Sequence, residues 1–519
     1  MIPVLRAAAC ALTIALAGCA SLPDNADRPA TTAFQDTADT PLGRRIAPLA
    51  AAHPGLTGVV PLQSGREAFA VRILLAQAAT RSIDVQYYIW HDDTTGGLLA
   101  RELLAAAERG VRVRLLLDDQ NTKGLDDLIA VLDAHPAIEV RLFNPFANRG
   151  LRVADFTGDF SRVNRRMHNK SFTVDGQFSV VGGRNVGDEY FGANNADAQY
   201  ADLDALVTGQ VVPDVSREFD VYWNSPSAYP AARLVAAAGP EDVARVKGAW
   251  DTLGDIPAAG KYVEAVRATP LVRDILAGTV EFEWAPCRLV ADDPAKVLHP
   301  PDRKDLHMVT HLHEALGKPE SELDLVSPYF VPTKEGTEGL RSLADRGVRV
   351  RVLTNSLAAT DVAPVYAGYA KYREPLLRGG NVTLYEMKRS PPEESEAADR
   401  ARRGIGSSGN EGLHAKTFAV DRKRIFVGSF NLDPRSARLN TEMGIVLESP
   451  RLAELLSQAF DERFPREQYE VRLSQDGNDV IWIERRGDDE IIYDTAPDTS
   501  LWRRMGAGFL AILPIEWLL

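Results

Sequence analysis

Two stretches of the chain carry the same set of reactive side chains. Residues 167–185 read MHNKSFTVDGQFSVVGGRN and residues 413–431 read LHAKTFAVDRKRIFVGSFN. Each contains H-x-K-x4-D, formed by His168, Lys170 and Asp175 in one copy and by His414, Lys416 and Asp421 in the other. A small pair follows each Asp, Gly182-Gly183 or Gly428-Ser429, and an Asn closes each stretch, Asn185 or Asn431. A charged Lys has no lone pair to offer, so a His beside a Lys is a poor metal site and no metal or other cofactor is expected. The same pair suits a phosphodiester. The Lys supplies a compact positive charge for phosphate oxygens, and Asn185, Asn431, Ser429 and the backbone at Gly183 add neutral donors. An imidazole with an ordinary pKa of about 6.5 can attack phosphorus or hand on a proton near neutral pH. Two such stretches meeting across a pseudo-twofold axis would place one His on each side of the phosphorus, one as nucleophile and one as acid.

A nucleophilic imidazole needs its other nitrogen fixed, normally by a carboxylate. Asp202 in YADLDALVTG and Glu442 in NTEMGIVLE supply one acid in each half. Asp175 and Asp421, five residues beyond each Lys, are better placed to brace the turn or the Lys than to react.

The elements that must position these groups are repeated too. Ile83 to Ile89 has the pattern of a buried strand, Leu98 to Glu108 that of an amphipathic helix closed by Gly110, and Val111 to Leu117 that of a second strand. Residues 323–355 repeat the layout, with ADRGVRVRVL echoing AERGVRVRLL 237 residues later. The histidines lie 246 residues apart, close to that period. One long period means two copies of one domain, each α/β by its alternation of strands and helices. In each copy His and Lys are expected on alternate residues of a strand, hence on one face.

These residues resemble the phospholipase D superfamily over about residues 65–465. The resemblance implies two α/β domains related by a pseudo-twofold axis, an active site at their interface, a phosphohistidine intermediate and no metal. The stretches IDVQYYIW, NRRMHNK, VGGRNVGDEYF and LPIEWLL are similar to the bacterial cardiolipin synthase C-type branch. That branch implies phosphatidyl transfer between phospholipids, with His168 as nucleophile and His414 as acid. The competing expectation is a phospholipase D-type hydrolase of the envelope. Further alternatives are a nuclease, or a scaffold that binds lipid without turnover; the intact residues of both motifs speak against the scaffold.

Composition narrows the classes further. The chain has 519 residues and is 45% hydrophobic and 25% charged, which excludes global disorder. A net charge of −13 argues against wrapping nucleic acid, and none is expected as a partner. Cys10, Cys19 and Cys287 cannot make a disulfide framework. No apolar run reaches the roughly 18 residues of a membrane span. Residues 1–18 read as a secretory signal with Arg6 ahead of a short apolar stretch, and Leu16-Ala17-Gly18-Cys19 resembles the bacterial lipoprotein box. Lipidated Cys19 would hold the protein to the membrane, and Ala20 after it favours the periplasmic face of the outer membrane.

The expected organisation is then a signal (1–18), a flexible tether (19–45), a first domain (46–235), a helical connection (236–320), a second domain (321–470) and a tail (471–519). Lys388 to Gly412, rich in breakers and charges, reads as a long loop beside the second motif. Arg165, Arg166 and Arg184 can hold lipid phosphates or make ordinary ion pairs. His307, His311 and His313 read as a surface helix rather than a zinc motif. The tail joins a hairpin, Val480 to Thr495, to a short apolar stretch ending in Trp517 that either dips into a membrane interface or docks on the protein.

Overall fold

The computed structural model describes residues 21–193, 199–378, 380–389 and 411–519. The signal, Cys19 and most of the stretch from Lys388 to Gly412 lie outside the described residues. Both halves are α/β. The first builds a nine-stranded sheet from β1 (Thr57–Leu62), β2 (Ser82–Tyr87), β3 (Arg112–Asp118), β4 (Ile138–Phe143), β5 (Ser171–Val174), β6 (Phe178–Gly182), β8 (Asp204–Gly209), β9 (Ala228–Pro230) and β10 (Glu283–Ala285), with β7 (Gln199–Ala201) outside it. Its order is β10-β1-β8-β6-β5-β2-β3-β4-β9. The second sheet uses β11 (Cys287–Ala291), β12 (Glu322–Val326), β13 (Arg349–Asn355), β14 (Val382–Met387), β16 (Lys416–Val420), β17 (Arg424–Gly428), β18 (Met443–Leu447), β19 (Tyr469–Leu473), β20 (Val480–Arg486) and β21 (Asp489–Tyr493). Its central order, β11-β18-β17-β16-β12-β13-β14, matches β1-β8-β6-β5-β2-β3-β4 strand for strand.

The repeat read from the sequence is the parallel pair β2–β3, matched by β12–β13. The helix Thr94–Glu108 crosses between the first pair, capped by Asp93 accepting from the Gly96 N–H and ended by Gly110 at φ 91°. Both pairs bury one matched charge pair. Arg114 grips Asp84 at 2.7 and 2.9 Å, and Arg351 grips Asp324 at 2.6 and 2.8 Å. In both cases the partners are directly opposite in register, so two-point hydrogen bonding satisfies a cation and an anion that could not be buried singly.

Each half has its own apolar cluster, and a third cluster joins them. Val181, Leu203 and Ala205 of the first half pack with Val326, Val427 and Ile445 of the second. The two sheets thus face each other, and each half's apolar cluster takes in its covering helices. The connecting region is shared between the halves. Its helices (Pro240–Thr252, Pro257–Arg267, Pro270–Ala277) carry Trp250, Tyr262 and Val272 into the first core, and the chain leaves the first sheet by β10 and enters the second by β11. The C-terminal hairpin, β20–β21, extends the second sheet.

The tether reading is corrected by the structure. From Asp24 to Thr40 the chain is strapped to the first half. Asn25 donates to the Ala228 carbonyl at 3.0 Å, Arg114 donates to the Thr31 carbonyl at 3.0 Å, and Arg141 reaches the Pro29 carbonyl. The physical reason lies in the partners: buried guanidiniums have more donors than their carboxylates accept, and the strap's backbone carbonyls take the remainder.

Candidate active site

His168 and Lys170 sit on the extended residues leading into β5. His414 lies between β15 (Glu411–Leu413) and β16, whose first residue is Lys416. The histidines therefore precede their strands instead of lying within them, because their backbones pair with the other half. The His168 N–H donates to the Thr441 carbonyl at 2.8 Å, and the Thr441 N–H to the Arg166 carbonyl at 2.9 Å. Reciprocally, His414 donates to the Ala201 carbonyl at 2.9 Å, and β15 runs parallel to β7. Each motif thus adds a short strand to the acidic segment of the opposite half.

The consequence is an exchange of carboxylates. His168 Nδ1 lies 2.8 Å from Glu442 Oε2, and His414 Nδ1 meets Asp202 Oδ2. Both rings are buried, and the Nδ1 of each is engaged by an acid of the other half. Lys170 donates to the carbonyl of His168, and Lys416 to that of His414. The two lysines and two histidines form one electrostatic unit, in which both lysine charges press on both imidazoles.

The two pairs are not electrically equivalent. Burial, then Lys170, Lys416 and His414, drive the His168 pKa well below its usual value, which favours the neutral imidazole. Burial also raises Glu442 to about 7, against the pull of Lys170. Asp202 stays well below the ordinary carboxylate range despite its burial, held there by His414, Lys416 and Arg184. A firmly ionised Asp202 favours a protonated His414, although burial and Lys416 still lower that imidazole. Burial lowers Lys416 to about 8 and Lys170 well below 10.5.

The structure places the remaining motif residues around this unit. Ser429 donates its hydroxyl to Glu442 and accepts from the Met443 N–H at 3.0 Å. Gly183 leaves room for the acid of its own half: a Cβ there would come within 2.2 Å of Asp202 Oδ1. Asn185 accepts from the Ile89 N–H at 3.2 Å, while its amide nitrogen and the Asn431 amide oxygen are buried without a partner. Asp175 and Asp421 are turned away from the imidazoles. Asp175 accepts from the N–H groups of Thr80, Arg81 and Ser82, and Asp421 from those of Glu320, Ser321 and Glu322. Both sit in the turn after their strand, at φ 51° and 52°, and their carboxylates fasten the entry of the neighbouring strand, β2 or β12.

Several positioning residues escape a reading of the motifs. Asp292 accepts from the Glu442 and Met308 N–H groups at 2.8 and 2.7 Å and pairs with Lys296 at 3.0 Å, so DDPAK becomes the support of Glu442. Ser436 donates to the second oxygen of Glu442 at 2.8 Å. In the first half Asp118 accepts from the Met167 N–H at 2.7 Å. The walls are aromatic: Tyr88 stands edge-on to His168, ring centres 4.9 Å apart, and Tyr190 and Tyr200 each lie 5.2 Å from His414. Only the adjacency of Tyr88 to the first strand hinted at this.

The arginines for which phosphate binding and ordinary ion pairing were both open are occupied within the protein. Arg166 pairs with Asp118, Arg184 donates to the carbonyls of Leu62, Gln63 and Asp202, and Arg165 donates to the Val297 and His299 carbonyls. Backbone carbonyls, fixed by the fold, consume their donors. Among the described residues one group, His91, Asp93 and Glu189, brings metal-type ligand atoms within 4.8 Å of one another. Asp93 is engaged there as a helix cap and His91 pairs with Glu189 at 3.3 Å. His311 and His313 lie on the exposed side of the helix Met308–Leu316, whereas His307 precedes that helix and is buried, which corrects its reading as a surface residue.

Comparison with known proteins agrees with this architecture. A family model described as "Cardiolipin synthase, PLD-like domain" matches residues 72–223 and 312–464, one match in each half. Cardiolipin synthase C of Escherichia coli (strain K12) is 46% identical over 484 residues, spanning 92% of this chain and 99% of that protein. Cardiolipin synthase A of Pseudomonas entomophila (strain L48) is 27% identical over 430 residues, spanning 82% of this chain and 72% of that protein. The crystal structure of phosphatidylserine synthase from Haemophilus influenzae Rd KW20 superposes with a TM-score of 0.55 at 14% identity, covering 92% of this chain and all of that one, a likeness of fold.

Proposed function

The chain belongs to the phospholipase D-like family of cardiolipin synthases, and from that premise we propose that it moves a phosphatidyl group between phospholipids through a covalent phosphohistidine. One observation carries the reading: two buried imidazoles, each fixed through Nδ1 by an acid of the other half, flank two lysines. Neutral His168, donating Nδ1–H to Glu442, directs the Nε2 lone pair at phosphorus. The N–P bond forms as the P–O bond to the departing headgroup breaks, and His414, in the protonated form that Asp202 supports against burial and Lys416, gives its proton to that oxygen. In the second half-reaction His414 takes the proton of an acceptor hydroxyl, which attacks phosphorus and restores His168. Lys170 and Lys416 hold the phosphate oxygens, with Asn185 and Asn431 beside them. No step requires a metal or cofactor.

The substrates are phospholipids, and the setting is the bacterial envelope. Among the described residues no helix is long and apolar enough to cross a membrane. Attachment is assigned to lipidated Cys19, on the periplasmic face of the outer membrane. Incubation of the purified protein with phosphatidylglycerol tests the reaction: a diphosphatidyl product identifies a transferase, whereas phosphatidic acid alone identifies a hydrolase and overturns the transfer.

A further inference from the structure

A protein that converts phospholipids must bring its cleft to the bilayer surface, and one part of this molecule is built the wrong way round for water. The helix Leu501–Ile512 buries only Ala507, on the side that packs against the helix Ala363–Ala370. Its large apolar residues recur along the opposite side and point outward: Trp502, Met505, Phe509 and Ile512 are 78%, 55%, 64% and 82% exposed. A globular helix ordinarily turns such a stripe inward. The patch continues past the helix, where Trp517, 58% exposed, meets Phe160 of the first half at 6.4 Å. Contiguous exposed apolar surface of this kind marks a docking face.

The position and charge of this face select its occupant. Arg503 donates to the Thr360 carbonyl at 3.0 Å; the neighbouring Asp361 accepts from Tyr200, whose ring packs on His414. On the other flank Arg435 donates to the Leu518 carbonyl and to Asn164, four residues before His168. The apolar tail therefore borders the cleft on both motifs. The helix itself carries Arg503 and Arg504 and no acidic residue, in a chain of net charge −13. The acids beside the patch are already paired, Glu516 with Tyr372 at 2.7 Å and Lys371 at 3.6 Å and Asp159 with Arg162 at 2.5 Å, so exposed tryptophans beside the two arginines of the helix match the interface of an anionic phospholipid bilayer. We propose that the face formed by Leu501–Ile512, Trp517 and Phe160 seats the catalytic cleft on the bilayer surface, by insertion of its apolar side chains. This rests on the phospholipid reading of the site.

The test uses the full chain carrying Cys19→Ser, which removes the lipid anchor, with and without the exposed pair Trp502→Glu and Phe509→Glu. Cosedimentation with phosphatidylcholine vesicles, containing phosphatidylglycerol or lacking it, is expected to be about tenfold or more weaker for the double variant, with the parent preferring the anionic vesicles. Turnover of vesicle phosphatidylglycerol should fall in step, while turnover of a short-chain monomeric phosphatidylglycerol stays at the parental rate. Equal vesicle binding by parent and variant overturns the proposal, as does a parental dimer that the variant breaks without loss of vesicle binding. If the parent turns over neither substrate form, the catalytic reading fails, and the binding comparison still decides the docking face.

Discussion

His168 of the first half and Glu442 of the second share one hydrogen bond of 2.8 Å across 274 residues of chain, and His414 with Asp202 returns the exchange across 212. Each half thus holds the other's imidazole, and neither half contains a complete His–acid pair. Removing either acid should therefore disable the chemistry of the opposite motif.

The electrical difference between the pairs allows the two roles to be separated. On phosphatidylglycerol, His168→Ala, His414→Ala, Glu442→Gln and Asp202→Asn are each expected to lose about 10²–10⁴-fold in kcat. Phosphatidyl-p-nitrophenol has a leaving group that needs no proton, so His414→Ala and Asp202→Asn should recover most of their first-step rate on it. His168→Ala and Glu442→Gln should not. Release of p-nitrophenol in a stopped-flow burst checks this; rescue of His168→Ala instead would reverse the assignment.

Gly183 tests the same geometry without touching a reactive group. A Cβ 2.2 Å from Asp202 Oδ1 must displace that carboxylate, so Gly183→Ala is expected to mimic Asp202→Asn, with a kcat loss of about 10²-fold. Near-parental kcat in a folded variant would show that Asp202 can move without consequence.

Asp175 and Asp421 are expected to report on stability. Asp175→Ala leaves three strand-end N–H groups without their acceptor and puts Ala at φ 51°, a loss of about 2–4 kcal/mol in urea unfolding. Asp421, only partly buried, should cost less. Activity per folded molecule should persist in both; its disappearance in a variant of parental stability would give these acids a chemical role.

The lysines set a pH limit on anion binding. Lys416 is charged below about 8 and loses its proton above it, and a bound phosphate favours the charged form. Binding then takes up a proton above that pH. The affinity for sulfate, an anion that does not titrate in this range, should accordingly fall as pH rises through about 8, when read by calorimetry. In Lys416→Met the affinity should be lower and the step lost. An affinity that rose with pH would contradict the assigned charge.

The parts legible in the sequence are those governed by neighbours along the chain. Strand–helix–strand alternation, the Gly110 helix end and the H-x-K-x4-D stretches depend on local periodicity and residue chemistry, and they appear in the structure where the pattern put them. The place of Asp175 and Asp421 at a strand's end was legible, but the partners of their carboxylates, at the start of β2 and of β12, come from elsewhere in the chain. A local pattern also suggested that His and Lys lie inside a strand. That failed for both histidines and for Lys170, while Lys416 opens β16, because both histidine backbones bond to the other half, which no local pattern encodes.

By itself, then, the sequence determined two copies of one α/β unit and the side chains that each copy brings to the candidate site. Only the tertiary structure decided how they combine. Which acid serves which imidazole depends on pairings across more than two hundred residues. Asp292 and Lys296 acquire a role only through burial behind Glu442, and the arginines near the first motif are spent on carbonyls that the fold brings to them. The segment after Asp24 is polar and rich in small residues, as a free tether would be, yet the unfilled donors of Arg114 and Arg141 fasten it to the first half. Hydrogen-bonding capacity left over in a buried interior is settled by whatever backbone arrives there, and that is a property of the fold.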